Sequence, residues 1–204
     1  ISFTTGCVAV TSFNENFDSV TTPALPICWN KILSGATIST FATVGTATTN
    51  ASAPNGVNLY NSNSAATDNI MLVTPMLSNL SAGTHRLKFK ARNNSATEDL
   101  EIGVLTDPAD ASTFTLVQAV DIDATFQTYA VNFDTFSGPG SVIALRRLST
   151  ATFTNVYLDD IAWEVIPTCP DQTGLVVSNV TAFTADTSWD NMSAGGALGY
   201  EYAI

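Results

Sequence analysis

Two aspartates, Asp159 and Asp160, stand side by side in "NVYLDDIAWEV" (155–165). Val156 and Leu158 carry the apolar positions on one parity before them, and Ile161, Trp163 and Val165 on the other parity after them. A strand whose apolar parity slips by one contains an extra residue, a β-bulge, and bulges re-aim side chains beside functional sites. Adjacent carboxylates repel each other and lose hydration where they are buried. Their natural counterpart is a cation that takes hard oxygen ligands. A further acidic segment, "FNENFDSV", supplies Glu15 and Asp18 near the start of the chain. First and last strands of a two-sheet sandwich are commonly neighbours, which would bring Asp18 to the Asp159–Asp160 bulge. Three carboxylates at a sheet edge favour Ca2+, which accepts about six to eight oxygens in irregular geometry. The loop "YNSNSAATDN" (60–69) offers Asn63 and Asp68 to complete the shell. The competing reading makes Asp159 and Asp160 solvent-facing residues where a strand leaves its sheet.

Other chemistries find less support. A Ser or Cys nucleophile needs a histidine beside it, and the chain has one histidine, His85, between Thr84 and Arg86. The acids of "DID" (121–123) and "EDLE" (98–101) read as solvated strand ends rather than as the paired acids of a glycosidase. Three cysteines, Cys7, Cys28 and Cys169, have neither the spacing nor the company of a zinc site. They read as structural thiols of an oxidising compartment. The sequence predicts no enzyme.

The elements that must position these residues are strands. Charged residues make up 12% of the 204 residues, about half the usual share, and Thr, Ser, Asn, Ala and Gly fill the gap. Such a composition suits short strands joined by polar turns. In "THRLKFKAR" (84–92), Leu87, Phe89 and Ala91 share one face while Arg86, Lys88, Lys90 and Arg92 share the other. Period two of this kind marks a half-buried strand. Further strands are predicted at 12–18, 36–44, 69–74, 99–105, 113–121, 126–133, 141–148 and 155–165. Strands 84–92 and 99–105 are expected to form a hairpin, with Glu98 and Glu101 pairing the basic stripe. No amphipathic helix is evident. The fold class that follows is all-β, a two-sheet sandwich of jelly-roll type. Trp29 and Trp163 are expected in its core, and Tyr60 and Tyr129 on its surface.

Net charge is −11. Nucleic acid is excluded as a partner, because phosphate binding needs a basic face. No apolar run approaches the roughly 20 residues of a membrane span. The sequence opens with neither an initiator Met nor a signal segment, and is expected to be a fragment of something longer or a processed product.

Four motifs occur in order: Phe17-Asp18, Pro26-Ile27-Cys28-Trp29, Leu72-Val73-Thr74-Pro75 and Leu158-Asp159-Asp160-Ile161. Together they resemble a group of extracellular jelly rolls that includes the MAM domain, the cleaved-adhesin domain, and the choice-of-anchor J modules of Bacteroidota surface proteins. Cys28 departs from the small residue that usually precedes the Trp. The stretch after 166, with a strand at Leu175 and Val177, another ending in Trp189 and a third beginning at Tyr200, resembles the opening of a fibronectin type III domain. "ISFTTGC" resembles the last strand of another. The organisation expected is therefore 1–7, the end of a preceding module; 8–166, the jelly roll; and 167–204, the start of a fibronectin type III sandwich.

The resemblance implies a structural Ca2+ held by Asp18 with Asp159 or Asp160. It implies an extracellular, non-catalytic module of a large surface or secreted protein, exported by a type IX system. Glycans or a host or cell-surface protein are its expected partners, besides its neighbouring domains. Within this array Cys7 either bridges Cys28 or pairs upstream, leaving Cys28 as the odd thiol. A spacer in a surface filament, or an accessory domain of a secreted protease or glycosidase, is the alternative function.

Overall fold

The computed structural model describes residues 6–34, 41–46, 50–61, 69–94, 99–148, 153–168 and 176–188. The chain divides into two compact units, Ile1–Val165 and Ile166–Ile204. In chain order the first unit contains β1 (Phe13–Glu15), β2 (Asn30–Ser34), β3 (Phe41–Thr46), β4 (Asn55–Asn61), β5 (Asn69–Val73), β6 (His85–Asn93), β7 (Asp99–Leu105), β8 (Phe114–Asp121), β9 (Gln127–Asn132), β10 (Val142–Leu148) and β11 (Thr154–Val165). One turn of 3-10 helix, Ala111–Thr113, precedes β8. Among the described residues there is no α-helix.

The strands form two sheets. The first runs β3-β4-β11-β6-β9, with β1 added beside β11, and the second runs β2-β5-β10-β7-β8. Every pairing is antiparallel. Apart from β3–β4 and β7–β8, which pair within one sheet, successive strands pass between the sheets, as in a jelly roll. The predicted hairpin of 84–92 with 99–105 does not exist. Strand β6 pairs β11 and β9, whereas β7 lies in the opposite sheet between β10 and β8. Strands β6 and β7 thus belong to opposite layers, a difference that local composition does not encode.

Alternation decides what each strand buries. Leu87, Phe89 and Ala91 of β6 are fully buried, and so are Val156, Leu158, Ile161 and Trp163 of β11, with exposures of 1% or less. They meet Leu100, Ile102, Val104, Ile143 and Leu145 of the second sheet in the main core. Trp29 and Trp163 are both in this core, as their apolar surroundings in the sequence predict. Trp163 is wedged between His85, stacked at 5.2 Å, and Phe133, edge-on at 5.1 Å. Tyr129 departs from expectation: it is half-buried, its ring stacks on Phe89 at 5.7 Å, and its hydroxyl accepts the N–H of Asp123 at 2.9 Å. Tyr60 is likewise half-buried.

The second sheet is apolar on both faces. Ile70 and Leu72 point into the main core, while Met71 and Val73 join Ile32, Leu105, Val142 and Ala144 in a second cluster on the outer side. Ala111 and Phe114 pack over it. Gly103 makes room for Phe114, since a Cβ there would lie 2.3 Å from the ring. The continuous apolar run "IMLV" in β5 follows from burial on both sides.

In the second unit, β12 (Val176–Ser178) pairs β13 (Asp186–Ser188). Val180 and Phe183, in the connection, are 71% and 96% exposed.

A disulfide joins Cys7 to Cys28 across a separation of 21 residues. It settles the alternative left open above in favour of an internal bridge. A loop of this size contributes about 3 kcal/mol by restricting the unfolded chain. Urea unfolding of Cys7→Ser/Cys28→Ser should show a loss of that order against the oxidised parent. Equal midpoints would mean the bridge constrains little.

Candidate functional site

Strand β11 carries the bulge that the parity slip predicts. Asp159 lies opposite Lys90 and Ala162 opposite Lys88, so Asp160 and Ile161 together face the single residue Phe89. Asp160 takes a left-handed conformation, φ 47°. The bulge falls where β11 changes neighbours on its other edge. Val156 to Leu158 pair β4, and Ile161 to Trp163 pair β1. The first and last strands are therefore neighbours, as the sequence argument requires.

The segment after residue 50 closes the gap between β4 and β1. Asp159, with no exposed surface, holds this segment. Its Oδ2 accepts the N–H of Ala51 at 2.7 Å, the N–H of Ser52 at 2.8 Å and the Ser52 hydroxyl at 3.2 Å. Its Oδ1 accepts the N–H of Asp160 at 2.7 Å. Burial pushes the Asp159 carboxyl above its ordinary value of 3.8, although these N–H bonds favour the charged form. Asp160 points elsewhere. It accepts the Ser52 hydroxyl at 3.0 Å and pairs with Lys90 at 2.9 Å, and this pairing raises the Lys90 ammonium.

Asp18 grips the far end of the same segment, accepting the N–H of Asn55 at 3.0 Å and the Asn16 amide at 2.8 Å. Glu15 accepts the N–H of Phe17 at 2.7 Å. That bond braces a sharp turn in which Phe17 has φ 61° and reaches the core against Trp29 at 5.4 Å. Asn55 is a member of the site that the sequence argument missed. Its buried Nδ2 donates toward three backbone carbonyls, Phe17 at 3.0 Å, Asp18 at 3.5 Å and Val20 at 3.1 Å. It opens the short "NGVNLYN" strand, whose Asn and Gly read locally as a turn.

The structure thus brings Asp18, Asp159 and Asp160 to one loop, 50–55. Among the described residues no three His, Cys, Asp or Glu side chains converge as a metal-holding group. Asn63 and Asp68 lie outside the described residues. The groups present are nonetheless hard oxygens, the chemistry that Ca2+ takes: three carbonyls gathered on the Asn55 Nδ2, and the Asp18 carboxylate on the Asn55 N–H.

The basic stripe is committed differently from expectation. Arg86 pairs Glu164, not an acid of β7, and Lys90 pairs Asp160. Arg92 stacks over Tyr157 at 4.0 Å. Glu101 pairs Arg146 within the second sheet. The crossover of β7 to the other layer is the reason.

No protein-family model and no curated protein matches the sequence. Solved structures do match. The K1 cleaved adhesin domain of Lys-gingipain from Porphyromonas gingivalis W83 superposes with a TM-score of 0.59 at 18% identity, covering 78% of this chain and 100% of that one. The first unit has the cleaved-adhesin fold. The K2 cleaved adhesin domain of Lys-gingipain agrees, at TM-score 0.60, 15% identity, 76% of this chain and 99% of that one. An arabinose-bound α-L-arabinofuranosidase contains a similar part, at TM-score 0.55 and 12% identity, covering 78% of this chain and 27% of the enzyme. The expected jelly-roll resemblance is therefore met at the level of the fold.

Removing the Asp159 acceptor strands two backbone N–H groups under the loop, each worth about 1–3 kcal/mol when left unsatisfied. Asp159→Ala should lower the free energy of unfolding by a few kcal/mol, and Asp160→Ala, which breaks a half-exposed ion pair, by about 1 kcal/mol or less. Equal losses in urea titrations at pH 7 would contradict the division of labour described above.

The sign of the pH effect also follows. A folded Asp159 value above 3.8 means that the native state keeps a proton the unfolded chain has released. The stability this provides is present near pH 3.8 and is lost as pH rises through the raised folded value. In EGTA, the stability of the parent minus that of Asp159→Asn should fall with rising pH across this window. A flat or rising difference would show that the carboxyl is not raised.

Proposed function

We propose that the first unit is a non-catalytic, extracellular binding module of a larger surface or secreted protein, acting in adhesion or glycan recognition. The observation that carries this reading is the likeness to a complete cleaved adhesin domain, matched over 100% of its length. The Cys7–Cys28 bridge supports an oxidising compartment outside the cytosol. The arrangement of His85 supports the non-catalytic part. Its ring stacks on Trp163, and its nitrogens contact the Asn79 amide at 3.1 Å and the Thr84 hydroxyl at 2.8 Å. A second reading, an accessory domain of a secreted glycosidase, is favoured by the similar part of the arabinofuranosidase. The β12–β13 hairpin, with Val176, Val177, Val180 and Phe183 exposed, fits the opening strands of a fibronectin type III sandwich.

The proposal includes a structural Ca2+ at the join of β1 and β11. Asp18, the carbonyls of Phe17 and Val20, and Asn55 would hold it, with the Asp159–Asp160 bulge at the other end of the 50–55 segment. The cation would supply charge neutralisation for carboxylates that now rely on N–H donors and Lys90. The gathered carbonyls around Asn55 support this placement.

Two measurements test the reading. Thermal unfolding of the full chain in 1 mM Ca2+ and in EGTA should differ by several degrees, because a cation at a hundred times its Kd adds about 2.7 kcal/mol. The shift should vanish in Asp18→Ala/Asp159→Ala/Asp160→Ala. No shift, with no Ca2+ retained after chelation, would remove the metal from the proposal. Binding to a printed array of neutral, sialylated and sulfated oligosaccharides tests the glycan function. An array without any bound spot would leave adhesion to protein, or spacing, in its place.

A further inference from the structure

The outer side of the second sheet is hollowed. A cavity of about 590 Å3 is lined by Ile32 of β2, Arg146 of β10, Phe114 of β8 and the turn Ala109, Asp110, Ala111 and Ser112. Its volume lies within the roughly 300–1,000 Å3 range of small-molecule sites. Strand register explains the floor. Ile32, Met71, Arg146 and Glu101 lie in one row across β2, β5, β10 and β7. Met71 is completely buried beneath, and the row sits above the second apolar cluster.

The polar groups are fixed before any ligand arrives. Arg146 is tied to Glu101 by its Nε at 2.6 Å and by a second ion-pair contact through Nη2, and its guanidinium lies 3.9 Å over the Phe114 ring. Phe114 is in turn pinned against Gly103. The rim is a closed set of short bonds. Asp107 Oδ1 accepts the N–H of Ala109 at 2.9 Å, Asp110 Oδ1 accepts the N–H of Ser112 at 2.8 Å, and the Thr113 hydroxyl donates to the Asp110 carbonyl at 2.8 Å. These contacts with Ser112 hold Asp110 below the usual carboxylate range, so it is ionised and keeps acceptor capacity. A preorganised rim reduces the ordering that binding would otherwise require.

Aliphatic walls, a fixed guanidinium and a fixed acceptor suit a molecule with an apolar face and several hydroxyls. Charge narrows the class. Arg146 already has Glu101 behind it as counter-ion, which leaves Asp110 as the unbalanced charge of the lining, on a chain of net charge −11. Both disfavour an acidic sugar. The Arg146 guanidinium at the floor disfavours a basic side chain from a peptide.

We infer that this cavity is a subsite for a neutral sugar unit, with Arg146 and Asp110 contacting its hydroxyls and Ile32, Ala109 and Ala111 covering its apolar face. The inference rests on the glycan-binding reading above and gives it a location. The test is an amide-resolved NMR titration of the full chain with glucose, galactose, mannose and N-acetylglucosamine to 20 mM, beside sialic acid and argininamide. At least one neutral sugar should shift the amides of 109–114 and 146. Ala109→Trp, which places a ring at an exposed rim position, should abolish these shifts. Asp110→Asn, which keeps an oxygen for Ser112, should weaken binding at least tenfold. Shifts from sialic acid alone, or from argininamide alone, overturn the neutral-sugar assignment. Glycan-array binding that survives Ala109→Trp overturns the location while the glycan reading stands. No binding on the array and no shift in the titration overturns both.

Discussion

Strand β11 has two different neighbours along one edge, β4 and then β1, and the Asp159 carboxylate fills the place where one gives way to the other. A central strand cannot leave its edge groups unpaired in a buried sheet without a large penalty. Here the chain answers with a loop rather than a strand. Ala51 and Ser52 present their N–H groups to the carboxylate, and the bulge at Asp160 turns the following residues into register with β1. The slip in apolar parity is the sequence trace of this event. Without it Ile161 and Trp163 would face outward, and the core would lose its largest buried side chain, Trp163. The two aspartates thus divide the work. One is buried and organises the backbone, and the other remains half-exposed and neutralises Lys90.

The same constraint spreads outward through β1. This strand is three residues long, and its anchorage depends on contacts beyond its own ladder. Phe13 and Phe17 pack on Trp29 at 5.3 and 5.4 Å, edge-on in both cases. Glu15 and Asp18 secure the turn that follows, and Asn55 threads that turn to β4. The Cys7–Cys28 bridge ties the approach to β1 to the segment carrying Trp29. A short edge strand is thus held by side chains, a disulfide and a loop, and each carboxylate there organises backbone.

Much of this was legible in the sequence, and the exceptions have physical reasons. The bulge, the neighbouring first and last strands, the buried tryptophans and most strand positions follow from alternation in "RLKFKA" and "VYLDDIAWEV". Strands β2 and β4 were not foreseen. "NKILS" is too short to show alternation, and "NGVNLYN" buries Asn55 and Asn61, which look like turn residues until their partners are known. The placement of β7 was misjudged, because a crossover between layers and a hairpin turn draw on the same polar residues. Asn55 and the Arg146 cavity escaped notice for a related cause. Each depends on segments far apart in sequence, and no spacing rule links Ile32, Arg146 and Asp110.

Electrostatics then decides what the surface is fit to meet. The chain has seven lysines and arginines against 18 acids. Arg86, Lys90 and Arg146 are each paired with a carboxylate. Lys31 donates to the Ala42 carbonyl, Arg92 lies over Tyr157 and Arg147 reaches the Thr154 hydroxyl. Lys88, standing between Ala162 and Ala130, makes no ion pair among the described residues, and one ammonium does not reverse a charge of −11. The positive charge is thus used to close the sandwich rather than to attract polyanions, whose approach the long-range field opposes. Divalent cations are drawn by that field, and uncharged ligands are indifferent to it. The long-range field therefore favours partners that bring little negative charge.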